Sequence, residues 1–102
     1  MKTVEIYNMA HLYISVDMIH AIKRITFIDF RVTQCVESRK AEKISNALNS
    51  FVNMRTADEY RKFMDFYGLY SLSNDTAYFK SVINQFSEAS DEGKGVCVEV
   101  TG

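Results

Sequence analysis

The residues of this chain that could hold a metal ion are two histidines and an acid near the amino terminus. His11 and His20 flank Asp17, and the chain has no other histidine. On adjacent strands these side chains could supply nitrogen and oxygen ligands, but no His-x-x-Glu-His or Cys-x-x-Cys spacing accompanies them. Polar residues on the solvent face of a strand are the simpler explanation, so we expect no metal and no cofactor.

Cysteine chemistry is the second candidate. Cys35 and Cys97 are the only cysteines, and neither stands in a motif. A cysteine nucleophile needs a neighbouring base, which the sequence does not place. We expect both to be reduced thiols packed in or beside the core; the alternative is a disulfide bond between them. With Gly93-x-Gly95 preceding a strand instead of opening a helix, no phosphate loop is present either, and we expect no catalytic residues and no enzyme.

The composition is typical of a globular protein. Of its 102 residues, 47% are hydrophobic and 25% are charged, and the formal net charge is −1. The first 51 residues carry seven bases and five acids, and the rest carry five bases and eight acids. This gradient is too shallow for a nucleic-acid footprint. We expect one domain over residues 1–102. Glu5 and His11 interrupt any apolar leader and no apolar run reaches membrane length, so we expect a cytoplasmic protein with no membrane partner.

The first third of the chain alternates with period two. Leu12, Ile14, Val16 and Met18 alternate with polar or aromatic residues, which predicts a strand. A second run over residues 24–35 is rich in β-branched and aromatic residues and predicts another strand, with its inward face formed by Ile28, Phe30 and Val32. The link between the two runs has no turn residue, which is the weakest point of this interpretation.

Helical periods follow. An amphipathic helix is predicted over about Ser38–Asn53, although residues 46–53 could instead be extended. A capping box, Thr56-x-x-Glu59, opens a second helix that should end near Gly68. A third helix carries the apolar face Phe79, Val82, Ile83 and Phe86, with Ser73 or Asn74 as its cap, and three alternating valines over residues 96–100 predict a final strand.

Together these elements predict an α+β fold, an antiparallel sheet of three to four strands packed on one face by two to three helices. Its best-specified segment is an aromatic stripe at helical spacing, formed by Tyr60, Phe63, Tyr67 and Tyr70. We assign Phe63, Phe66 and Tyr67 to the core. Tyr60 and Tyr70 are expected to face a partner, because tyrosine combines contact area with a polar group.

A cluster of basic residues is the remaining feature. Half of the basic residues fall within 21 positions: Lys23, Arg24, Arg31, Arg39, Lys40 and Lys43. Exposed aromatics beside them could stack on bases of a nucleic acid. Acids at positions 29, 37 and 42 dilute the cluster, which favours a solvated face of mixed charge, so direct nucleic-acid binding is the alternative and not the leading interpretation.

Three short segments of the chain resemble a family of small phage proteins, the type I-F anti-CRISPR inhibitors. They are Met1-Lys2, Ala10-His11-Leu12 leading into a strand, and the capped helix that runs into Phe66-Tyr67-Gly68-Leu69 before one more helix. The resemblance implies an antiparallel sheet covered by two helices and binding to the repeated backbone subunit of an RNA-guided surveillance complex. The family's tyrosines and acid on the sheet correspond here to Ile6 beside Tyr7, His20 and Asp29. The segments Glu37–Asn53 and Val96–Thr101 depart from the family.

The expected function is therefore steric inhibition of a defence nucleoprotein complex, such as a CRISPR effector, in the cytoplasm of a bacterial host. The residues expected to contact the partner are Tyr7, Tyr13, His20, Asp29, Arg31, Tyr60 and Tyr70. Two alternatives stay open: a nucleic-acid-binding regulator that uses the basic cluster, and a structural domain that self-associates, with a homodimer formed through a sheet edge or tyrosines.

Overall fold

A computed structural model describes residues 9–101, which form five helices and a small mixed sheet. The elements in chain order are β1 (Met9–Ile14), α1 (Val16–Thr26), β2 (Cys35–Val36), α2 (Ser38–Asn53), α3 (Ala57–Phe66), α4 (Tyr70–Ser73), α5 (Thr76–Asp91) and β3 (Gly95–Val100). Among the described residues, none of these helices has the length and apolar character needed to cross a bilayer.

The predicted antiparallel sheet of three to four strands is wrong. The described strands lie in the order β1-β3-β2, with β3 parallel to β1 and antiparallel to the two-residue β2. The chain between β1 and β3 contains all five helices, and such a long crossover returns β3 to the sheet in the same direction as β1. Leu12, Val98 and Val36 are buried on the sheet's inner face.

The strand predicted to continue past Ile14 instead turns into a helix. The Ser15 side chain accepts a hydrogen bond from the Met18 N–H at 3.2 Å, which caps α1. Met18, Ile19 and Ile22 then face the core at helical spacing. The missing turn residues between the two predicted strands have a simple explanation, since this stretch is the interior of α1.

The second predicted strand is likewise absent. Its first residues end α1, and residues 27–34 form a loop, called here the 27–34 loop, which returns the chain to β2. Asp29 stabilises a turn, because its carboxylate accepts from the Arg31 N–H at 2.9 Å. Of the three residues predicted to face inward, Phe30 is buried, Ile28 is partly buried and Val32 is exposed. Local turn chemistry therefore prevails over β propensity.

The helical predictions for the second half are confirmed. Helix α2 runs the full length of the predicted segment, including its second half. The capping box is formed in both directions, by Thr56 and Glu59. Gly68 has a φ of 72° and ends the α3 region, as predicted. The cap of α5 is Asp75 and not Ser73 or Asn74, since its carboxylate accepts from the Tyr78 N–H at 3.0 Å.

The core lies between the inner face of the sheet and the helices, with α2 against α5. Its largest fully buried side chains include Phe79, Phe86 and Tyr60. The Phe79 ring contacts Tyr60 edge-on, with centroids 5.5 Å apart, and lies 6.0 Å from the Phe51 ring. Such aromatic packing buries much of the apolar surface that stabilises a chain of this length.

Candidate functional site

A cleft of about 580 Å³ lies beside the carboxyl-terminal half of α1, and we call it the basic cleft. It is lined by His20, Lys23, Arg24, Phe27, Arg31 and Tyr67. Three cations line the cleft and Asp29 pairs with two of them, so these four side chains together carry a net charge of +2. A cleft of this charge with aromatic walls favours partners that carry both acidic and apolar groups.

Helical spacing brings the α1 residues to the cleft. His20, Arg24 and Phe27 are four and three positions apart, so they lie on one side of the helix. Phe27 ends α1 in the left-handed conformation, with a φ of 66°, and its N–H donates to the Lys23 carbonyl at 2.8 Å. This conformation is rare for a bulky residue, and it leaves the Phe27 ring 88% exposed.

Asp29 pairs with two cations, Arg31 on the 27–34 loop and Lys23 on α1. Its carboxylate accepts from Arg31 Nε and Nη2, both at 3.1 Å, and Lys23 Nζ lies 3.7 Å from its Oδ2 atom. The hydrogen bonds from the Arg31 side chain, followed by that from its backbone N–H, lower the pKa of Asp29 from 3.8 to about 2. Asp29 therefore holds Arg31 in place and neutralises part of the cleft's charge.

This pairing predicts a specific acid titration. Because the pKa of Asp29 is lowered on folding, its contribution to stability is present above pH 3.8 and is lost as the pH falls toward about 2. Arg31→Ala should raise the pKa of Asp29 toward its ordinary value, whereas Lys23→Ala should raise it less, since Lys23 is the weakest of the causes. NMR titration of the Asp29 carboxyl carbon measures both effects. A wild-type midpoint near 3.8 would contradict the geometry.

The other wall of the cleft is aromatic. The Arg24 guanidinium lies 4.3 Å from the centroid of the Tyr67 ring, in cation–π geometry. Tyr67 also contacts the rings of Phe63 and Phe66 edge-on, with centroids 4.9 and 4.8 Å away. The prediction that these three residues form core is wrong for two of them, because Phe66 is 79% and Tyr67 37% exposed, while Phe63 is partly buried.

The sequence prediction for Tyr60 is wrong in the opposite sense, because this residue is buried in the core. It was expected to face a partner, but it is 1% exposed, because Tyr60 and Met64 form the buried face of α3. Its hydroxyl is buried with no hydrogen-bond partner among the described residues. Burial, followed by the charge of Asp75, raises the pKa of this hydroxyl. Tyr60 is thus a core residue and cannot contact a partner from the folded domain.

The unpartnered hydroxyl gives a second prediction. Tyr60→Phe should leave the domain equally stable or raise its free energy of unfolding by about 1 kcal/mol, because a buried polar group without a partner is removed. Tyr78→Phe is the matched control: the Tyr78 hydroxyl accepts from the Ser15 N–H at 3.0 Å, so its loss should cost about 1 kcal/mol. Urea denaturation of both variants measures the difference. A larger loss in Tyr60→Phe than in Tyr78→Phe would contradict this arrangement.

The remaining predicted contact residues do not form one surface. His20, Asp29 and Arg31 come together at the basic cleft, whereas Tyr13 is exposed on the outer face of the sheet. Tyr70 is exposed at the start of α4, and Tyr7 lies outside the described residues.

The fold separates His11 from the other two suggested metal ligands, Asp17 and His20, which both lie on α1. Asp17 accepts from the Ser71 hydroxyl at 2.6 Å, and His11 lies on β1 while His20 lies on α1. Within residues 9–101, no group of three or more histidine, cysteine or acidic side chains is arranged to hold a metal ion.

The basic cluster of the sequence is divided by the fold. Lys23, Arg24 and Arg31 reach the basic cleft, and Lys40 borders a neighbouring hollow of about 350 Å³ that shares Phe27 with it. Sequence reasoning missed Phe27 and Tyr67, which form the aromatic walls. The period of α1 could have indicated Phe27, but the approach of Tyr67 from α3 depends on tertiary packing.

Comparison of the chain with protein-family models, with curated proteins and with solved structures found no match. The functional interpretation therefore depends on the geometry of the basic cleft.

Proposed function

We propose that this protein is a non-enzymatic binding domain that acts by occupying a surface of a partner protein, with the basic cleft as its contact site. The observation that carries this proposal is the juxtaposition of Arg24, Tyr67 and the exposed Phe27 ring at one cleft. Arginine and aromatic side chains dominate the binding energy of protein interfaces. The net charge of +2 favours a partner segment that combines carboxylates with apolar side chains.

The partner class that we propose is a protein subunit of a bacterial defence nucleoprotein complex, such as a type I-F CRISPR effector, in the cytoplasm of the host. Small size and the sequence resemblance support this class. The sheet does not, because the family has an antiparallel sheet and the present one contains a parallel pair. We therefore transfer the mode of action, steric occupation, and not the family's sheet surface.

A phage-plating assay tests this proposal in cells with active type I-F interference. Expression of the wild-type protein should restore plaques of a targeted phage, and the double variant Arg24→Glu, Phe27→Ser should lose this effect. Lys80→Glu, an exposed charge reversal on α5 outside the basic cleft, is the matched control and should behave as the wild type. Full interference in cells that contain soluble wild-type protein would overturn the proposed partner class. Equal activity of the double variant would overturn the proposed contact site.

Nucleic-acid binding is the second candidate, and it is favoured by one specific observation: Lys23, Arg24 and Arg31 converge beside aromatic rings. It ranks second because Asp29 pairs with Lys23 and Arg31, which reduces their attraction for phosphate. Fluorescence anisotropy with a single-stranded oligonucleotide of about 20 bases at 50 and 200 mM salt distinguishes the two. We expect no binding. Binding that falls steeply with salt and is lost in Arg24→Glu would replace the protein partner with a nucleic acid.

A further inference from the structure

The outer face of the sheet carries a row of three side chains whose types suit thiol chemistry. His11 on β1 is paired in register with Cys97 on β3, and Cys97 is paired in register with Cys35 on β2. Residues that are paired in register project to the same face of a sheet. This face has exposed His11, Tyr13 and Glu99, whereas the opposite face packs on the helices.

The two cysteines form a disulfide, with their Cα atoms 4.0 Å apart and 62 positions apart in sequence. The expectation of two reduced thiols is therefore wrong. The antiparallel register of β2 and β3 sets the two residues directly opposite each other, and this long-range pairing has no local signal in the sequence. His11 occupies the next position of the same row.

The two sulfur-bearing residues differ in their accessibility. Cys35 is exposed and lies on β2, an edge strand, while Cys97 lies on the central strand and is 7% exposed. Disulfide exchange begins when a thiolate attacks one of the two sulfurs, and access helps to decide which one. The attack is therefore directed at Cys35, which makes Cys97 the leaving group.

His11 is placed to assist that departure. Its Nδ1 atom lies 3.9 Å from Oε2 of Glu99, which is two residues beyond Cys97 on the same strand and the same face. His11 and Glu99 therefore lie together on the outer face, His11 across from Cys97 and Glu99 two residues along from it. A protonated imidazole beside a cysteine stabilises the thiolate, and a stabilised thiolate is a better leaving group.

We propose that this face is a thiol–disulfide exchange site for low-molecular-weight thiols, with Cys35 as the modified residue. The thiolate of glutathione attacks Cys35 Sγ, the bond between Cys35 and Cys97 breaks, and its electron pair leaves on Cys97 as a thiolate. The product is a mixed disulfide between glutathione and Cys35. A second glutathione thiolate releases oxidised glutathione and the Cys35 thiolate, so two glutathione thiols are oxidised and one protein disulfide is reduced, with each cysteine thiolate taking up one proton.

Such a site suits the cytoplasmic location proposed above. Thiol reductants keep most cysteines reduced there, and the disulfides that do occur are usually transient and take part in catalysis or redox sensing. The exchange site lies on the sheet and shares no lining residue with the basic cleft, so the two proposals stand or fall separately.

Incubation of the oxidised protein with reduced glutathione, followed by rapid alkylation and peptide mass spectrometry, tests the site. The early product should carry glutathione on Cys35 and the alkyl group on Cys97. His11→Ala should slow the exchange about fivefold, because one favourable charge interaction with the leaving thiolate is lost. Lys80→Glu, an exposed change on α5 away from this face, should leave the rate unchanged. Glu99→Gln should slow the exchange less than His11→Ala, since Glu99 acts only through its ion pair with His11.

Three results would overturn the proposal. Glutathione found first on Cys97 would contradict the assigned direction of attack. Equal rates for His11→Ala and the wild-type protein would remove the role of His11. A rate that rises with urea in parallel with global unfolding would show that exchange takes place in the unfolded chain and not at a folded site.

Discussion

We expect Phe79→Ala to lower the free energy of unfolding by about 3 to 5 kcal/mol. Phe79 on α5 is fully buried, and its ring contacts Phe51 on α2 and Tyr60 on α3. Truncation leaves a cavity that the close-packed neighbours on α2 and α3 cannot fill. Chemical denaturation of the purified variant, followed by circular dichroism, measures the loss.

Phe66→Ala is the matched control for this prediction. The Phe66 ring is 79% exposed and contacts Tyr67 at the surface, so its removal should cost less than about 1 kcal/mol. Equal losses in the two variants would mean that Phe66 belongs to the core, as predicted from the sequence. The structural assignment of this segment would then be contradicted.

Removal of the disulfide is the second large effect that we expect. Cys35 and Cys97 are 62 positions apart and enclose helices α2 to α5, so the bond restricts most of the unfolded chain. Loop-closure entropy for this separation predicts a stabilisation of about 4 kcal/mol. The double variant Cys35→Ser, Cys97→Ser should therefore unfold at a markedly lower denaturant concentration than the oxidised wild-type protein.

Reduced wild-type protein is the control for this second prediction. Cys97 is almost fully buried, so serine itself adds a small cost there, whereas reduction with dithiothreitol opens the bond without changing any residue. Both samples should lose about the same stability. A loss of less than about 1 kcal/mol on reduction would contradict the prediction that the bond restrains the unfolded chain.

The sequence predicts the helical half of the fold well, because its signals are local. The capping box at Thr56 and Glu59 and the apolar period of α2 and α5 depend on residues within a few positions of one another. The sheet could not be predicted in this way. Its parallel pair joins β1 to β3 across most of the chain. The spacing of apolar residues along a strand does not indicate whether that strand pairs in a parallel or an antiparallel direction.

The misassigned segments have a shared physical cause. Residues 12–18 alternate with period two, whereas Met18, Ile19 and Ile22 have helical spacing. The Ser15 cap and the burial of these three residues favour the helix from Val16 onward. In the aromatic stripe, spacing alone does not tell which side of α3 meets the core. Tyr60 packs against Phe51 and Phe79 and so lies in the core, whereas Phe66 is exposed to solvent.

Only part of the basic cleft could be predicted from the sequence. The basic cluster identifies Lys23, Arg24 and Arg31 as neighbours, and the ion pairs of Asp29 explain why the first and third remain together. The stacking of Arg24 on Tyr67 joins residues 43 positions apart, so it becomes visible only in the folded chain. The same holds for the row of His11, Cys97 and Cys35.

The most direct test of the basic cleft is the affinity of the purified protein for a purified type I-F effector complex, measured by biolayer interferometry. Wild-type protein and the Lys80→Glu control should bind equally, and Arg24→Glu should bind at least about tenfold more weakly, because it loses the cation–π contact and reverses a charge in the cleft. Wild-type protein that does not bind, or Arg24→Glu that binds with unchanged affinity, would contradict the account.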